Sequence, residues 1–330
     1  MRNASIVAGL SLAFVFACSP PATTSGSAVE GTEESAAANA DAPTPRESEI
    51  SALPVYAPEI SDVASICGAE TDYVDVRAFA GKNGVTPQFV TAHAPSAVMF
   101  RWVDLGAMRA AYPGYQYGNV AGQHWCSGTL IADESAPAGA AAHRVLTAGH
   151  CFFSANGSDG WVTPYRVVNG QREYLQDEAL ARLQTVVFDF EIVGGRPREG
   201  ESRNITGIDF DSTHALDYAI VEFAGAAPGN RAPAQVSRTN ARVNDPLIII
   251  QHPGGAPKKI DVGTLFQLVP RAAPVEMRYN DIDTIGGSSG SGIRNAAGAI
   301  VGVHVAGGCD RGIGNEGVPI EAIRDRARWL

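Results

Sequence analysis

The chain has 330 residues, enough for one large domain or two modest ones with a tail. At 45% hydrophobic and 18% charged residues it has the composition of a soluble globular protein. A formal net charge of −10 argues against nucleic acid or an anionic membrane surface as a partner.

The N-terminus reads as an export signal. Arg2 precedes the apolar stretch Ile6–Ala17, which is too short to span a bilayer as an anchored helix. It ends in VFAC, Val15–Cys18, which resembles a bacterial lipobox with Cys18 as the lipidated first residue. Phe16 is bulkier than that motif prefers, and ordinary secretory cleavage after Ala17 is the alternative. Ser19–Ser51 is rich in Ala, Ser, Thr, Pro and Glu and cannot bury enough apolar surface to fold. Residues 1–18 are therefore read as a signal and 19–60 as a disordered linker or pro-segment. Residues 61–96 have a mixed pattern and read as an N-terminal extension of a main domain over 97–330.

From Ala97 short apolar runs recur: AVMFRWV, WCSGTLIA, RVLTA, TVVFDFEIV, YAIVEF, PLIIIQ, TLFQLV and AIVGVHVA. Each is bounded by Gly, Pro, Asn or Asp, a cadence that suits a β-sandwich or barrel and not alternating βαβ units. Glu134–Ala142 reads as a surface insertion between two strands. Only the C-terminus has helical spacing: Ile320, Ile323, Ala327 and Leu330 share one face, with Pro319 at the start and Arg324, Arg326 and Arg328 toward the end. Besides Cys18 there are four cysteines, Cys67, Cys126, Cys151 and Cys309. In an exported protein they suggest two disulfides, with three connectivities open, and no pair has C-x-x-C spacing for zinc or redox chemistry.

Three places could carry chemistry. In RVLTAGHC a short strand ends in a turn bearing His150 beside Cys151. A Cys126–Cys151 disulfide would pin that turn to the strand WCSGTLIA, stabilise by roughly 3 kcal/mol through loop closure, and fix the imidazole. In HALDYAIVEF, Asp217 precedes a strand; it is either a turn aspartate or a carboxylate that holds an imidazole tautomer. In IDTIGGSSGSGI, the pattern G-x-S-G offers Ser289 as a nucleophile and the amides of Gly287 and Ser289 as oxyanion donors. A lone GGSSGSG resembles a linker, but linkers are not followed by strands such as AIVGVHVAGG.

The order His150, Asp217, Ser289, carried by TAGHC, LDYAIVEF and GGSSGSG, resembles the trypsin/chymotrypsin-like serine protease family over about Ala97–Leu330. The resemblance implies an all-β fold, a chymotrypsin-like double antiparallel β-barrel with a C-terminal helix and the site between the barrels. It implies His150 as general base, Asp217 as its orienter and Ser289 as nucleophile, with protein or peptide substrates. Gly292 departs from the proline that bacterial members usually carry. D-T-x-G-G-x-S-G-S, followed by a strand containing V-H, is similar to bacterial glutamyl endopeptidases. That similarity implies Thr284 and His304 as ligands of a substrate glutamate, in a pocket shared with Asp283, Val305 and Gly307. The strand at Val305–Gly307 is expected to pair with the substrate backbone. The segment CGAETDYVDVRAF is similar to the start of related bacterial trypsin-like proteases, which implies a Cys67–Cys309 disulfide.

A trypsin-like Lys/Arg preference is the competing specificity, through Asp283 six residues before Ser289, or through Asp310. Two further alternatives are a protease-like binding protein without catalysis and an esterase. The esterase lacks the surrounding α/β pattern. His93, His124 and His143 read as solvent-facing, and His252 as shaping a loop. No metal, cofactor or nucleotide motif is present, and a membrane would be met only through lipid at Cys18. The expected location is outside a bacterial cytoplasm, as an envelope lipoprotein or a secreted protein.

Overall fold

The computed structural model describes residues 65–134, 137, 141–153, 163–270 and 275–330. The export signal, Cys18, the stretch to residue 60 and most of the Glu134–Ala142 insertion lie outside them. All described residues belong to the unit Ala52–Leu330.

Six strands make the first barrel: β1 Ala97–Trp102, β2 His124–Ile131, β3 Arg144–Thr147, β4 Gln184–Val187, β5 Ser202–Phe210 and β6 Ala219–Phe223. They close in the order β5-β6-β3-β2-β1-β4, all neighbours antiparallel. Inward side chains such as Phe100, Leu130, Val145, Val186, Ile205 and Val221 fill it. Gly128 is required there, since a Cβ would lie 2.6 Å from Val145 Cγ1 and 2.8 Å from Phe100 Cε2.

The second half is built from β7 Pro246–Gln251, β8 Lys259–Thr264, β9 Gln267–Pro270, β10 Val275–Tyr279, β11 Gly292–Arg294, β12 Ile300–Ala306 and β13 Asn315–Pro319. Their order is β8-β7-β11-β12-β13-β10-β9. Only Leu265 and Phe266 separate β8 from β9. One bent stretch of chain thus holds both ends of the sheet and wraps it around Leu247, Ile249, Leu265, Met277, Tyr279, Ile293 and Val301. The all-β double barrel expected from the sequence is the observed architecture.

Residues 65–96 pack on the outside of the second barrel. Val74–Asp75 adds a strand to β8. The helix Pro87–His93 starts with Thr86 as its cap and Pro87 in its first turn. Val76, Phe79, Val85 and Val90 cover Ile248, Ile250, Ile260 and Val262. This explains the unbroken apolar run PLIIIQ: Leu247 and Ile249 face the barrel interior, while Ile248 and Ile250 face the extension.

The C-terminal helix is shorter than its spacing suggests. It spans Ile320–Arg324, with Ile320 and Ile323 buried. The chain then turns back to the first barrel, where buried Asp209 accepts from the amides of Arg328 (2.7 Å) and Trp329 (3.1 Å) and from Arg328 Nε (2.9 Å). Those bonds give the amides of Arg328 and Trp329 partners outside a helix.

Candidate active site

β3 and β6 pair in the register Thr147↔Ala219, which sets the residues after Thr147 beside those before Ala219. His150 opens the single helical turn His150–Phe153, and Asp217 stands two residues before β6. Asp217 Oδ2 takes His150 Nδ1–H at 2.7 Å and Oδ1 takes the His150 amide at 2.8 Å. This two-point grip places the imidazole proton on Nδ1 and leaves Nε2 as the acceptor. Burial works against the Asp217 charge, but the His150 charge and hydrogen bonds from His150 and Gly149 hold its carboxyl below the usual range. The turn is fastened from below. Cys151 is disulfide-bonded to Cys126 on β2, and its carbonyl accepts from Trp125 Nε1 (3.2 Å) and Gln184 Nε2 (3.1 Å). Gly149 belongs there because a Cβ would lie 2.3 Å from the Phe153 ring and 2.9 Å from the Tyr218 carbonyl.

The Gly286–Gly290 turn joins the two barrels. The Ser127 amide on β2 donates to Ser289 O (2.8 Å), Ser127 Oγ donates to Gly287 O (2.7 Å), and the Gly290 amide donates to His304 O on β12 (2.8 Å). Gly287 and Gly290 have φ of 93° and 87°. A Cβ on Gly290 would lie 2.0 Å from Thr147 Oγ1 and 2.9 Å from the Ala148 amide. The turn is therefore packed on the end of β3, from which His150 emerges. Of the three serines, Ser288 and Ser291 are fully buried and Ser289 retains 4% exposure. Ser288 Oγ accepts from the Ile285 amide at 3.1 Å, a structural bond. Among the described residues, neither the Gly287 amide nor the Ser289 amide meets an acceptor.

The remaining sequence-derived site residues separate into two groups. Asp283 is buried, with its oxygens on the amides of Cys67 (2.6 Å) and Asp72 (2.8 Å), both in the N-terminal extension. Thr284 beside it is fully buried, and its hydroxyl has no hydrogen-bond partner among the described residues. Its backbone exchanges two hydrogen bonds with Ser65. His304 is buried on β12, with Nδ1 2.5 Å from Tyr279 Oη. Burial, and then the nearby His150 charge, pull its imidazole down to about 3, so it is neutral at physiological pH. The Tyr279 hydroxyl also lies 3.3 Å from Glu316 O, so its single proton serves either that carbonyl or Nδ1, and donation to Nδ1 puts the imidazole proton on Nε2. Val305 and Gly307 continue the same strand and its exit. Asp310 is exposed, and its amide donates to Ser65 Oγ at 3.0 Å.

The expected Cys67–Cys309 disulfide is present and clamps residues 65–72 against the loops after β10 and before β13. Other participants left no readable signal in the sequence. Asn315, the first residue of NEGVP, donates to Ser65 O (3.1 Å) and Ile282 O (2.8 Å) and accepts from the Gly308 amide (3.0 Å). Tyr279 was one aromatic among many. Asp72, Asp261 and Asp283 converge, with Lys82 Nζ 2.5 Å from Asp72 and 2.7 Å from Asp261.

Two histidines read as solvent-facing are placed otherwise. His124 Nε2 lies 2.5 Å from Glu199 and its Nδ1 lies 3.0 Å from Gly255 O, bridging β2 to the turn after β7. His93 is half-buried against Gly298, where a Cβ would lie 2.1 Å from the ring. Neither position is marked by local sequence, because the partners are more than 70 residues away.

Residues 126–303 match the family model described as a trypsin-like peptidase domain. A curated protein, secreted RxLR effector protein 73 of Plasmopara viticola, is 26% identical over 196 residues, 57% of this chain. The chain spans 42% of that relative's length. Among solved structures, a Glu endopeptidase in complex with MPD has a TM-score of 0.48 at 18% identity, over 79% of this chain and 98% of that one. Protease Anisep from Arthrobacter nicotinovorans has a TM-score of 0.41 at 14% identity, over 71% and 95% of the two chains.

Proposed function

Because this chain belongs to the trypsin-like peptidase domain family, we propose that it is an exported serine endopeptidase working through His150, Asp217 and Ser289. Ser289 Oγ attacks the peptide carbonyl carbon while His150 Nε2 takes its proton. The oxyanion is held by the Gly287 and Ser289 amides. His150 then protonates the departing amine as the C–N bond breaks, leaving an acyl-Ser289. Water, deprotonated by His150, releases the acid and restores the hydroxyl. Asp217 stabilises the imidazolium throughout. The observation that carries this reading is the two-oxygen grip of Asp217 on His150, at the strand end against which the Ser289 turn is packed.

The substrate side chain we assign to the pocket is glutamate at P1. The support is the partnerless Thr284 hydroxyl and the Tyr279–His304 pair, two donors suited to a carboxylate. The Lys/Arg alternative depends on a bare acid; both Asp283 oxygens are engaged by backbone amides, which leaves that alternative to exposed Asp310, whose carboxylate accepts from Ser65 Oγ at 3.4 Å. Two disulfides fit an oxidising compartment outside the cytoplasm. Among the described residues no helix is long and apolar enough to cross a membrane. Cys18 is the residue we assign to lipid attachment, which mass spectrometry of the mature protein's N-terminus tests.

Ser289→Ala should lose on the order of 10³-fold or more in kcat with an unchanged thermal melt, and a serine-directed phosphonate should label the wild type stoichiometrically at Ser289. An unlabelled, correctly folded wild type would instead favour a binding protein without catalysis.

A further inference from the structure

The strand that would pair with a substrate backbone ends at Ala306, and the carbonyl of the next residue is already engaged: Arg311 Nη2 donates to Gly307 O at 2.6 Å. Arg311 lies in the turn directly after Cys309, which the disulfide to Cys67 holds in place. The residue is exposed, and among the described residues its guanidinium has no carboxylate partner.

The pocket needs such a charge. Thr284 offers a neutral hydroxyl, and His304 a neutral imidazole. Asp283 and Asp310 lie on the loops around it, and Glu316, on the strand paired with β12, makes the surroundings more negative. The nearby Arg278 is already shared between Glu276 (3.2 Å) and Glu316 (3.6 Å). A carboxylate moved from water into this cleft would meet hydrogen-bond donors but no counter-ion, and such a transfer is costly unless the charge is paired.

We propose that Arg311 is the specificity-determining counter-charge for an acidic P1 side chain; this rests on the glutamyl reading above. The Gly307 carbonyl is the acceptor that an incoming substrate strand requires. Substrate pairing displaces the guanidinium from Gly307 O, and the released fork turns onto the substrate carboxylate, where a bidentate pair is available to arginine and not to lysine. Binding of the main chain and recognition of the side chain are thereby linked through one residue.

The test compares the full-length wild type, Arg311→Ala and Arg311→Lys on peptides identical except for Glu or Gln at P1. In Arg311→Ala the Glu-to-Gln ratio of kcat/KM should fall by about tenfold to a hundredfold, the worth of one charge-assisted pair. Arg311→Lys should recover part of the ratio, and that recovered part should shrink in high salt. Phosphonate labelling of Ser289 in each variant checks that the catalytic apparatus is intact. A ratio unchanged in Arg311→Ala, or a loss that follows an acidic residue at P3 instead of P1, overturns the proposal while the glutamyl reading stands. A wild type that does not prefer Glu to Gln removes the glutamyl reading itself, and this proposal with it.

Discussion

Asp217 spends one oxygen on the His150 ring and the other on the His150 amide, so the imidazole can neither rotate nor change tautomer without breaking a charge-assisted bond. In the proposed mechanism His150 must be neutral to accept the Ser289 proton, whereas Asp217 is held below the usual carboxylate range and stays ionised. Activity should therefore fall as the pH is lowered through the histidine range, in a single-proton step, which a profile of kcat/KM between about pH 4 and 9 measures. Asp217→Asn should lose on the order of 10³- to 10⁴-fold in kcat, because an amide can stabilise the wrong tautomer. Ser288→Ala should be far milder, since its hydroxyl only receives the Ile285 amide. At this scale much was readable: three short motifs in chain order suggested the roles of His150, Asp217 and Ser289, and the structure sets the first two in direct hydrogen-bond contact. It could not show that Asp283 is committed to backbone amides, because those amides belong to Cys67 and Asp72, more than 200 residues upstream.

The N-terminal extension is the element whose role the local pattern conceals. It adds Val74–Asp75 to β8 and brings Asp72 to Asp261 and Asp283, with Lys82 between two of the three carboxylates. Burial, and then the hydrogen bond with Asp72, push Asp261 up to about 7, while Asp72 is lowered against its own burial by that same hydrogen bond and then by Lys82. A carboxyl raised in the fold contributes stability that is complete below its unfolded value near 3.8 and is lost as the pH rises through about 7. Lys82 offsets that loss above pH 7. Lys82→Met should therefore destabilise by about 1–3 kcal/mol at pH 8 and by less at pH 5, read as the difference in thermal melts at the two pH values.

Other elements were hidden for related reasons. β5 carries polar residues on its outer face, and its register shifts between Ile205 and Gly207, so it lacks clean alternation. β13, NEGVP, is fully buried yet contains Asn, Glu and Gly, whose partners are distant carbonyls and an arginine. The run TLFQLV reads as one strand but bends at Leu265–Phe266, because it serves both ends of the second barrel.

Across the whole molecule the two disulfides differ in what they fix. Cys126–Cys151 spans 25 residues within the first barrel and seats the histidine turn. Cys67–Cys309 spans 242 residues and joins the extension to the loop that carries Arg311. Replacing Cys67 and Cys309 together with serine should cost about 2–5 kcal/mol. It should also lower kcat/KM by more than the loss of folded protein accounts for, because the Cys67 amide would no longer be held on Asp283, next to Thr284. Thermal melts and active-site titration with a phosphonate separate the two effects.

The sequence by itself determined the fold class and the identities of the candidate nucleophile, base and orienting acid, because these are carried by short motifs whose backbone and side-chain requirements are local. The similarity to glutamyl endopeptidases also brought Thr284 and His304 forward. Only the tertiary structure decided which acids are occupied, which hydroxyl lacks a partner and which cation stands over Gly307. Those are properties of contacts between segments up to 250 residues apart, set by barrel closure and by the extension wrapped on the second barrel. A buried carboxylate flanked by backbone amides and one open to a cleft are the same letter in the sequence, and differ only in what surrounds them.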